Sequence, residues 1–266
     1  MRHLMKIVEI IGKIFLNAAE AIGAVATMWR KAFEIIVKGK WEAKLTIEQM
    51  NEIGVESFAV VGLTSLFTGM VLAFQSGFSF IKVFNEPLYV GSVVGLSLVK
   101  ELGPVLTSMV IAGRVGASIT AELGTMNVTE QLDALYTLGT SPVRYLAVPR
   151  FIAMMIMAPT LAALANIIGI LGGYLVATLQ LHIPGGVFWE EVSTLVEFND
   201  VAHGLIKSFF FGLIIVTTSC YKGFNCSGGA EGVGRATTTS VVISMVLVLV
   251  GDYFLSALLV SLGIGG

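Results

Sequence analysis

Long apolar stretches separated by short polar connections make up most of the chain after residue 55. Several of these stretches reach the roughly 20 apolar residues that a helix needs to cross the hydrocarbon core of a bilayer. The stretches are continuous rather than alternating, which favours helices over the strands of a membrane barrel. The pattern predicts an all-α membrane protein with five spanning helices, at about Ser57–Phe84, Tyr89–Gly113, Leu146–Leu181, Gly204–Cys220 and Thr239–Leu262.

The N-terminal segment, residues 1–50, has a different pattern. Its apolar residues also recur at helical spacing, but charged residues such as Lys6, Glu9 and Lys13 interrupt them. This pattern predicts an amphipathic helix that lies in the headgroup region of the membrane. A soluble amphipathic helix that packs on a partner is the alternative. We therefore expect an interfacial segment at 1–50 and one five-span domain at 51–266.

Composition and charge support this organisation and add an orientation. The chain is 55% hydrophobic and 13% charged, whereas soluble domains carry roughly 25% charged residues. The net charge of −2 provides no basic field that would favour nucleic acid. Lysine and arginine are frequent in every second connection and rare in the others. By the positive-inside rule, the N-terminus then lies in the cytoplasm and the C-terminus on the opposite side of the membrane.

The connection between the second and third predicted spans contains a short amphipathic pattern. Asn127 and Glu130 resemble a capping box, Gly139 suits a left-handed helix stop, and Pro142 prevents the helix from continuing. The predicted helix, at about 128–138, is too short to cross a membrane. It could pack on the protein's own spans or insert into a groove of a cytoplasmic partner. Its apolar face consists of Leu132, Leu135, Tyr136 and Leu138.

Charged residues inside otherwise apolar spans include Lys100, Glu101 and Asp252. A charge at bilayer depth costs about 2.5 kcal/mol or more unless it is paired or faces a cavity. Adjacent residues point about 100° apart on a helix, so Lys100 or Glu101 should meet another helix, and Asp252 is the predicted partner of Lys100. Three roles are open for these charged residues: they could fix the packing of the helices, line a cavity for a charged headgroup, or relay protons. Pro104 lacks a backbone donor and predicts a hinge nearby.

The first span contains a polar break, Gln75-Ser76-Gly77, among aromatic residues. The break marks either an interfacial belt near the helix end or a groove that holds acyl chains. Glycines such as Gly169 and Gly172 let membrane helices approach closely and are interpreted as packing residues. If the groove exists, its predicted walls are Leu72, Phe80, Ile81 and Phe84.

Motifs for catalysis and nucleotide binding are missing from the sequence. It contains no H-E-x-x-H zinc motif, no G-x-S-x-G elbow and no Walker-type glycine loop. These motifs supply a metal-bound water, an activated serine and a phosphate cradle, respectively. We therefore expect no enzymatic activity, no metal and no cofactor in this chain, and any ATP hydrolysis must come from another polypeptide.

Two resemblances to known families extend this interpretation. The stretch "DALYTLGTSPVRYLAVP", with Asp133, Gly139 and Pro149, resembles the EAA loop of ABC importer permeases, whose short helix sits in a cleft of the ATPase subunit. The stretches "FTGMVLAFQSG", "KELGPVLTSMVIAGRVGASITAELGTMNVTEQLDAL" and "PRF" resemble the MlaE family, the permease subunits of Mla-type ABC lipid transporters. The second likeness covers about residues 50–262.

The MlaE resemblance implies a complex in the bacterial inner membrane. The expected complex is a homodimer of five-span permeases with a cytoplasmic ATPase, which binds ATP and Mg. A hexameric ring of MCE domains lies on the extracytoplasmic face, and a small STAS-domain protein often accompanies the ATPase. The implied cargo is glycerophospholipid, held between the two permeases and exchanged with the ring to maintain outer-membrane lipid asymmetry.

The resemblance also assigns roles to residues. Lys100 and Glu101 match the family's basic–acidic pair beside the lipid cavity, where some relatives have arginine instead of lysine. Arg235 and Asp252 match further polar positions. The residues expected at the lipid site are Leu72, Gln75, Phe80, Ile81, Phe84, Lys100, Glu101, Arg235 and Asp252. The residues expected on the ATPase side are Glu122, Glu130, Leu132, Asp133, Leu135, Tyr136 and Gly139.

Two rival functions remain open. An ion-coupled secondary transporter would use Glu101 and Asp252 as proton carriers and would need no ATPase. A structural membrane anchor for the MCE ring would tolerate charge-neutral substitutions at Lys100, Glu101 and Asp252 without loss of lipid traffic.

Overall fold

The computed structural model describes residues 2–39, 41–84 and 89–265, without the side chains of 2–15, 17, 18 and 84. Nearly all of these residues are helical, and none of them forms a strand. The α-helices are α1 (Arg2–Val37), α2 (Ala43–Met50), α3 (Glu56–Phe84), α4 (Val90–Ser97), α5 (Gly103–Ile111), α6 (Ala117–Val128), α7 (Gln131–Thr137), α8 (Val148–Leu179), α9 (Gly185–Leu195), α10 (Phe198–Phe224) and α11 (Gly229–Ser261). Short π-helical turns at Asn51–Val55, Leu98–Leu102, Ala112–Gly116 and Val143–Ala147 join several of them into longer helices.

Five of the resulting continuous helices are long and apolar enough to cross a membrane. The predicted all-α, five-span fold is therefore confirmed. We number these helices as spans 1 to 5, in chain order Ala43–Val83, Val90–Val128, Val143–Leu179, Phe198–Phe224 and Gly229–Ser261.

The spans extend further at one end of the bundle than the apolar pattern predicts. Span 2 continues past Gly113 to Val128, and span 5 begins at Gly229 rather than near Thr239. The 39 residues of span 2 are about 58 Å long at 1.5 Å per residue, nearly twice the roughly 30 Å hydrocarbon core. Polar residues such as Arg114 therefore mark where a helix leaves the hydrocarbon and not where it ends.

The two ends of the bundle carry different short helices, which give them their names here. At the α7 end, residues 129–142 connect spans 2 and 3, and residues 225–228 connect spans 4 and 5. At the α9 end, residues 180–197 connect spans 3 and 4, and the chain leaves span 5. The charge pattern predicts that the α7 end is cytoplasmic.

Helix α1 lies at the α7 end and packs on the chain's own spans. Met28 and Ala32 are buried. The indole nitrogen of Trp29 donates a hydrogen bond to the Thr217 hydroxyl of span 4 at 2.9 Å, and its ring meets that of Phe151 edge-on at 5.5 Å. The second half of α1 is thus anchored to spans 3 and 4, while its placement in the headgroup region stays a prediction.

Spans 1 and 3 cross at very short distance because small residues line the crossing. A Cβ atom added to Gly69 would lie 1.8 Å from the carbonyl oxygen of Gly169, and one added to Gly172 would lie 2.2 Å from the carbonyl oxygen of Leu66. The opposing atoms are backbone and cannot rotate away. The predicted packing role of Gly169 and Gly172 is therefore confirmed.

Candidate functional site

A cluster of charged side chains lies inside the bundle near the α9 end, and Lys207 of span 4 is its centre. The Lys207 side chain is completely buried, and its ammonium lies 2.5 Å from a carboxylate oxygen of Glu101 and 2.5 Å from one of Asp252. It also donates a hydrogen bond to the Ser256 hydroxyl at 2.9 Å. One cation thus joins span 2 to span 5 from its position on span 4, which is the pairing that buried charges require.

The backbone of span 2 contributes to the same cluster. Lys100 and Glu101 lie within the π-helical turn Leu98–Leu102, directly before Pro104. Proline cannot donate to the carbonyl four residues earlier, which belongs to Lys100. The ammonium of Lys207 lies 3.3 Å from that carbonyl oxygen and donates to it. The backbone before Pro104 thus forms a π-helical turn, a feature often found at functional sites, while the hinge near Pro104 stays a prediction.

Lys100 has a different partner from the one that the sequence predicted. Its ammonium lies 3.2 Å from a carboxylate oxygen of Asp200 and donates to the carbonyl oxygen of Gly265 at 2.6 Å. Asp252 pairs with Lys207 instead, so the predicted Lys100–Asp252 pair is wrong. The other oxygen of Asp200 accepts from the Glu197 backbone amide at 3.0 Å, which fixes this carboxylate at the start of span 4.

His203 lies one turn after Asp200 and is buried beside these charges. Its two ring nitrogens have no hydrogen-bond partner among the residues that the structure describes. A Cβ atom added to Gly265 would lie 2.9 Å from the Cβ and Cγ atoms of His203, so the backbone of Gly265 rests directly on the histidine. Spans 2, 4 and 5 thus contribute the side chains of the cluster, and the segment that follows span 5 packs against it.

Sequence reasoning missed three members of this cluster: Lys207, Asp200 and His203. Lys207 stands in the apolar stretch "GLIKSFFFGLIIV" and could have been found by the criterion that singled out Asp252. The other two were assigned to a connection because the fourth span was expected to begin at Gly204, whereas it begins at Phe198. The signal at Asp200 is the pair Glu197 and Asp200, which together form the capping box of the helix.

The predicted acyl-chain groove on span 1 is only partly as expected. Three of its predicted walls, Leu72, Phe80 and Ile81, are half-buried and pack against an internal apolar cluster of spans 2 and 3 and α9. The side chain of the fourth, Phe84, lies outside the described residues. The exposed face forms instead an open groove of about 280 Å³, lined by Phe74, Gln75, Phe78, Ser79 and Lys82.

Arg235 does not join the charged cluster. It lies near the α7 end of span 5, where its exposed guanidinium is 3.8 Å from the Glu231 carboxylate of the preceding turn. Seventeen residues separate it from Asp252 on one helix, which corresponds to about 25 Å. The structure therefore places Arg235 apart from the other polar residues of the predicted lipid site.

At the α7 end, the short predicted helix exists, but its start differs from the prediction. Helix α7 covers Gln131–Thr137, and Glu130 before it has a left-handed backbone with a φ of 62° and no side-chain cap. The side-chain amide of Asn127 donates instead to the carbonyl oxygen of Cys226 at 2.7 Å, which links the end of span 2 to the connection between spans 4 and 5. The predicted capping box of Asn127 and Glu130 is therefore wrong.

The predicted stop of α7 at Gly139 is confirmed. Gly139 has a φ of +73°, which glycine adopts without steric cost. The Thr140 amide donates to the Leu135 carbonyl, and the Gly139 amide donates to the Tyr136 carbonyl, both at 3.0 Å. This pair of bonds defines a Schellman motif and turns the chain away from the helix axis.

The apolar face of α7 divides between the bundle and the solvent. Leu132 is buried in a second internal apolar cluster, which includes Leu146 and Phe151 of span 3, and Leu135 is half-buried against that cluster. Tyr136 and Leu138 are 62% and 78% exposed. The acidic residues Glu122, Glu130 and Asp133 are also exposed. Helix α7 is thus anchored on one side and offers an apolar edge with carboxylates around it on the other.

Ion pairs tie α7's neighbouring spans together. The Arg150 guanidinium of span 3 is buried and donates to the Glu122 carboxylate of span 2 at 2.6 Å. It also donates to the Leu146 carbonyl at 2.7 Å. A second arginine, Arg114 of span 2, contacts the Glu56 carboxylate of span 1 at 2.8 Å. The α7 end is therefore a connected unit in which span 2 is held to both of its neighbours.

Five spanning helices, an internal charged cluster at one end and a short exposed helix at the other define a multi-pass membrane protein of the transport-permease class. The family model described as Permease MlaE matches residues 46–258. The chain belongs to the MlaE permease family.

Individual relatives agree with this assignment. A probable ABC transporter permease protein of Rickettsia typhi is 43% identical over 258 residues, which cover 96% of this chain and 98% of the relative. A probable ABC transporter permease protein of Synechocystis is 43% identical over 229 residues, or 86% and 87% of the two chains. The intermembrane phospholipid transport system permease protein MlaE of Haemophilus influenzae is 34% identical over 261 residues, or 98% and 100% of the two chains.

Proposed function

We propose that this chain is the permease subunit of an ABC transporter that moves glycerophospholipid between the inner membrane and an extracytoplasmic ring of MCE domains. The observation that carries the proposal is the charged cluster around Lys207, set inside spanning helices of an MlaE-family permease. Charges at this depth in a membrane protein mark a path for polar cargo or ions. A phospholipid combines such a polar group with apolar chains.

Lys100 is the residue of the cluster that is best placed to meet a lipid phosphate. Its side chain remains 27% exposed, whereas that of Lys207 is completely buried. An ammonium offers three donors. One of those of Lys100 is hydrogen-bonded to the Gly265 carbonyl oxygen, and the Asp200 carboxylate lies 3.2 Å away as an ion-pair partner. Lysine contacts phosphate as a point charge rather than through the two-pronged fork of arginine, so the chain favours charge recognition over fixed headgroup geometry.

The proposed power source is a separate ATPase subunit that docks on α7 and binds ATP and Mg itself. The exposed edge formed by Tyr136 and Leu138 is the apolar part of this docking surface. The exposed carboxylates of Glu130 and Asp133 flank it. An amphipathic helix inserted into a partner's groove is a recurrent mode of recognition. We assign this chain no nucleotide site of its own, so the force for transport must come from the docked ATPase.

The geometry gives a route from the ATPase to the lipid. Helix α7 connects spans 2 and 3, and the Glu122–Arg150 pair holds those spans together at the α7 end. A displacement of α7 would therefore move both spans. Span 2 also carries Lys100 and Glu101 near its opposite end. The movement reaches the charged cluster through one continuous helix and changes the space offered to the lipid.

The remaining parts of the proposed assembly follow from the family. Two copies form a homodimer with the lipid cavity between them, the MCE ring docks at the α9 end, and a STAS-domain protein accompanies the ATPase. The membrane is the bacterial inner membrane, with the α7 end in the cytoplasm. The phospholipid transport named for the Haemophilus influenzae relative supports glycerophospholipid as cargo and lipid homeostasis of the outer membrane as the role.

The test is to purify the tagged chain from native membranes in mild detergent and to identify its proteins and lipids by mass spectrometry. We expect an ABC ATPase, an MCE-domain protein and phospholipid in the eluate. A variant with Tyr136→Ala and Leu138→Ala should lose the ATPase and keep the lipid. Leu262→Ala, at an exposed leucine of the α9 end, is the control and should keep both.

Three results would count against the proposal. An ATPase that stays bound to the double variant would contradict docking on α7. An eluate without phospholipid would contradict the proposed cargo. Lipid movement driven by a proton gradient in vesicles that contain this chain without any ATPase would support the ion-coupled alternative instead.

A further inference from the structure

The segment after span 5 folds back onto the charged cluster. Gly263 has a φ of +77°, the Gly263 amide donates to the Val260 carbonyl at 3.0 Å, and the Ile264 amide donates to the Leu259 carbonyl at 2.9 Å. These bonds form a Schellman motif, which reverses the direction of the chain at the helix end. The reversal delivers Gly265 into the bundle, where it is buried.

Gly265 makes the contact that matters for the proposed lipid site. Its carbonyl oxygen accepts a hydrogen bond from the Lys100 ammonium at 2.6 Å. A bond from a charged donor is stronger than one between neutral groups. The carbonyl oxygen thus holds one donor of the partly exposed lysine.

Close packing makes this contact specific to glycine. Gly265 has a φ of +75°, and a Cβ atom there would lie 2.9 Å from the Cβ and Cγ atoms of His203. His203 belongs to span 4 and is itself buried, so it cannot move aside freely. The segment 263–265 therefore lies at Lys100 only while position 265 has no side chain.

We propose that the segment Gly263–Gly265 is a built-in competitor that holds one donor of Lys100 and must be displaced before a phosphodiester headgroup can use that donor. This inference rests on the proposed function, since it takes a lipid phosphate as the ligand of Lys100. A carbonyl oxygen and a phosphate oxygen are both acceptors for the same ammonium. The phosphate carries a charge and binds the ammonium more strongly, whereas the carbonyl is tethered to the chain and always present. The segment therefore lowers the affinity of Lys100 for a lipid phosphate.

The chain provides a matched pair of variants for this idea. Gly265→Ala introduces both an unfavourable φ and the contact with His203. Gly263→Ala introduces the same kind of unfavourable φ, but its Cβ atom would have no neighbour within 4 Å. The difference between the two variants isolates the displacement of the segment from Lys100. A chain truncated after Gly263 removes the competing carbonyl altogether and serves as an independent second variant.

The experiment measures binding of short-chain phosphatidylglycerol to the full-length chain and its variants in detergent by titration calorimetry. We expect Gly265→Ala and the truncated chain to bind about tenfold more tightly than the unmodified chain, which corresponds to about 1.4 kcal/mol. Gly263→Ala should show a smaller gain than Gly265→Ala, because it strains the turn but adds no contact with His203. Dioctanoylglycerol, which has the same kind of apolar chains and no phosphate, should show no gain. Misfolding cannot imitate the expected result, because it would weaken binding.

Two results would overturn the inference while the proposed function stands. Either both Gly265→Ala and the truncated chain bind phosphatidylglycerol no more tightly than the unmodified chain, or the gain is equally large for dioctanoylglycerol. Failure of the proposed function itself would look different, since then the unmodified chain and all variants would bind no phosphatidylglycerol.

Discussion

Lys207 is the residue on which the interior of the α9 end depends. It is completely buried and lies between two carboxylates that come from different spans. Loss of Lys207 would therefore leave two carboxylates without this cation. Removing one partner of a buried ion pair costs about 3–5 kcal/mol, whereas replacing the whole pair by apolar or neutral groups is often tolerated.

We therefore predict that a single variant at this cluster loses stability and that a triple variant recovers part of the loss. Lys207→Met should lower the free energy of unfolding by up to about 3 kcal/mol, the lower end of the range for buried pairs. Glu101 and Asp252 would lose their cation, but their side chains are 45% and 23% exposed and therefore screened by solvent. The triple variant Lys207→Met, Glu101→Gln and Asp252→Asn should recover a large part of this loss. Thermal unfolding in detergent measures both, and Lys44→Ala, at an exposed lysine, is the control. A triple variant less stable than the single one would contradict the central role of Lys207.

The sequence allowed the presence of the charged cluster to be predicted, but not its pairing. Lys100, Glu101 and Asp252 stand out because charge is costly among apolar residues. Which cation meets which carboxylate depends on how the spans are rotated about their axes, and a single sequence contains no such information. Lys207 was missed although it has the same apolar surroundings, and the Lys100–Asp200 contact was hidden by the misplaced start of span 4.

At the scale of elements, α7 is a short helix whose position is set by its ends. Seven residues are too few for a helix to be stable by propensity alone. The Schellman motif at Gly139 and the burial of Leu132 hold it instead. The proposed docking of an ATPase on α7 requires such an anchor, because a helix that unwinds under load would not move its neighbours.

We predict that Gly139→Val disturbs docking of the ATPase on α7. A branched residue at a φ of +73° is strained by roughly 1–2 kcal/mol, so the end of the helix would rearrange. Co-purification of the ATPase with the chain should fall several-fold. Gly234→Ala, at a helical glycine of span 5 with open space around it, is the matched control. Undiminished co-purification with Gly139→Val would show that the end of α7 has no part in docking.

The crossing of spans 1 and 3 provides a second prediction for an element. Gly69→Ala would bring a Cβ atom to 1.8 Å from the Gly169 carbonyl oxygen, and overpacking costs typically about 1–3 kcal/mol. The thermal unfolding temperature in detergent should therefore fall. Gly251→Ala is the control, because its Cβ atom would lie 3.5 Å from Ile214, an ordinary contact. Equal stability of both variants would mean that the two spans can separate without loss.

The spans themselves could be predicted well, and their ends could not. Apolar stretches reveal the part of a helix that crosses hydrocarbon, since only that part must be apolar. The continuation of span 2 through Arg114 and Glu122 to Val128 is stabilised by contacts such as the Glu122–Arg150 pair, which join residues far apart in sequence. The left-handed residue Glu130 likewise gives no local signal, because glutamate rarely adopts this backbone conformation.

For the molecule as a whole, the spans differ strongly in how much of their surface the chain covers. Half of the apolar core of spans 2 and 4 is buried, whereas span 5 is the least covered of the five. Its exposed residues Val242, Val246, Leu249 and Tyr253 follow one another at intervals of four, three and four, which places them on one face of the helix. Apolar exposure to lipid alone does not drive association, but this face is free to pack against a second copy.

We predict that the proposed homodimer forms through this face of span 5. In a two-fold symmetric dimer, residues near the axis meet their own counterparts in the other copy. Val246→Cys or Leu249→Cys should therefore give a disulfide-linked dimer on oxidation in membranes, as seen by non-reducing electrophoresis. The native Cys220 and Cys226 are free and buried and can stay in place. Ile167→Cys, at an exposed residue of span 3, is the control and should stay monomeric. If Ile167→Cys cross-links and the two positions on span 5 do not, the dimer interface lies on another face and the lipid cavity must be assigned to other spans.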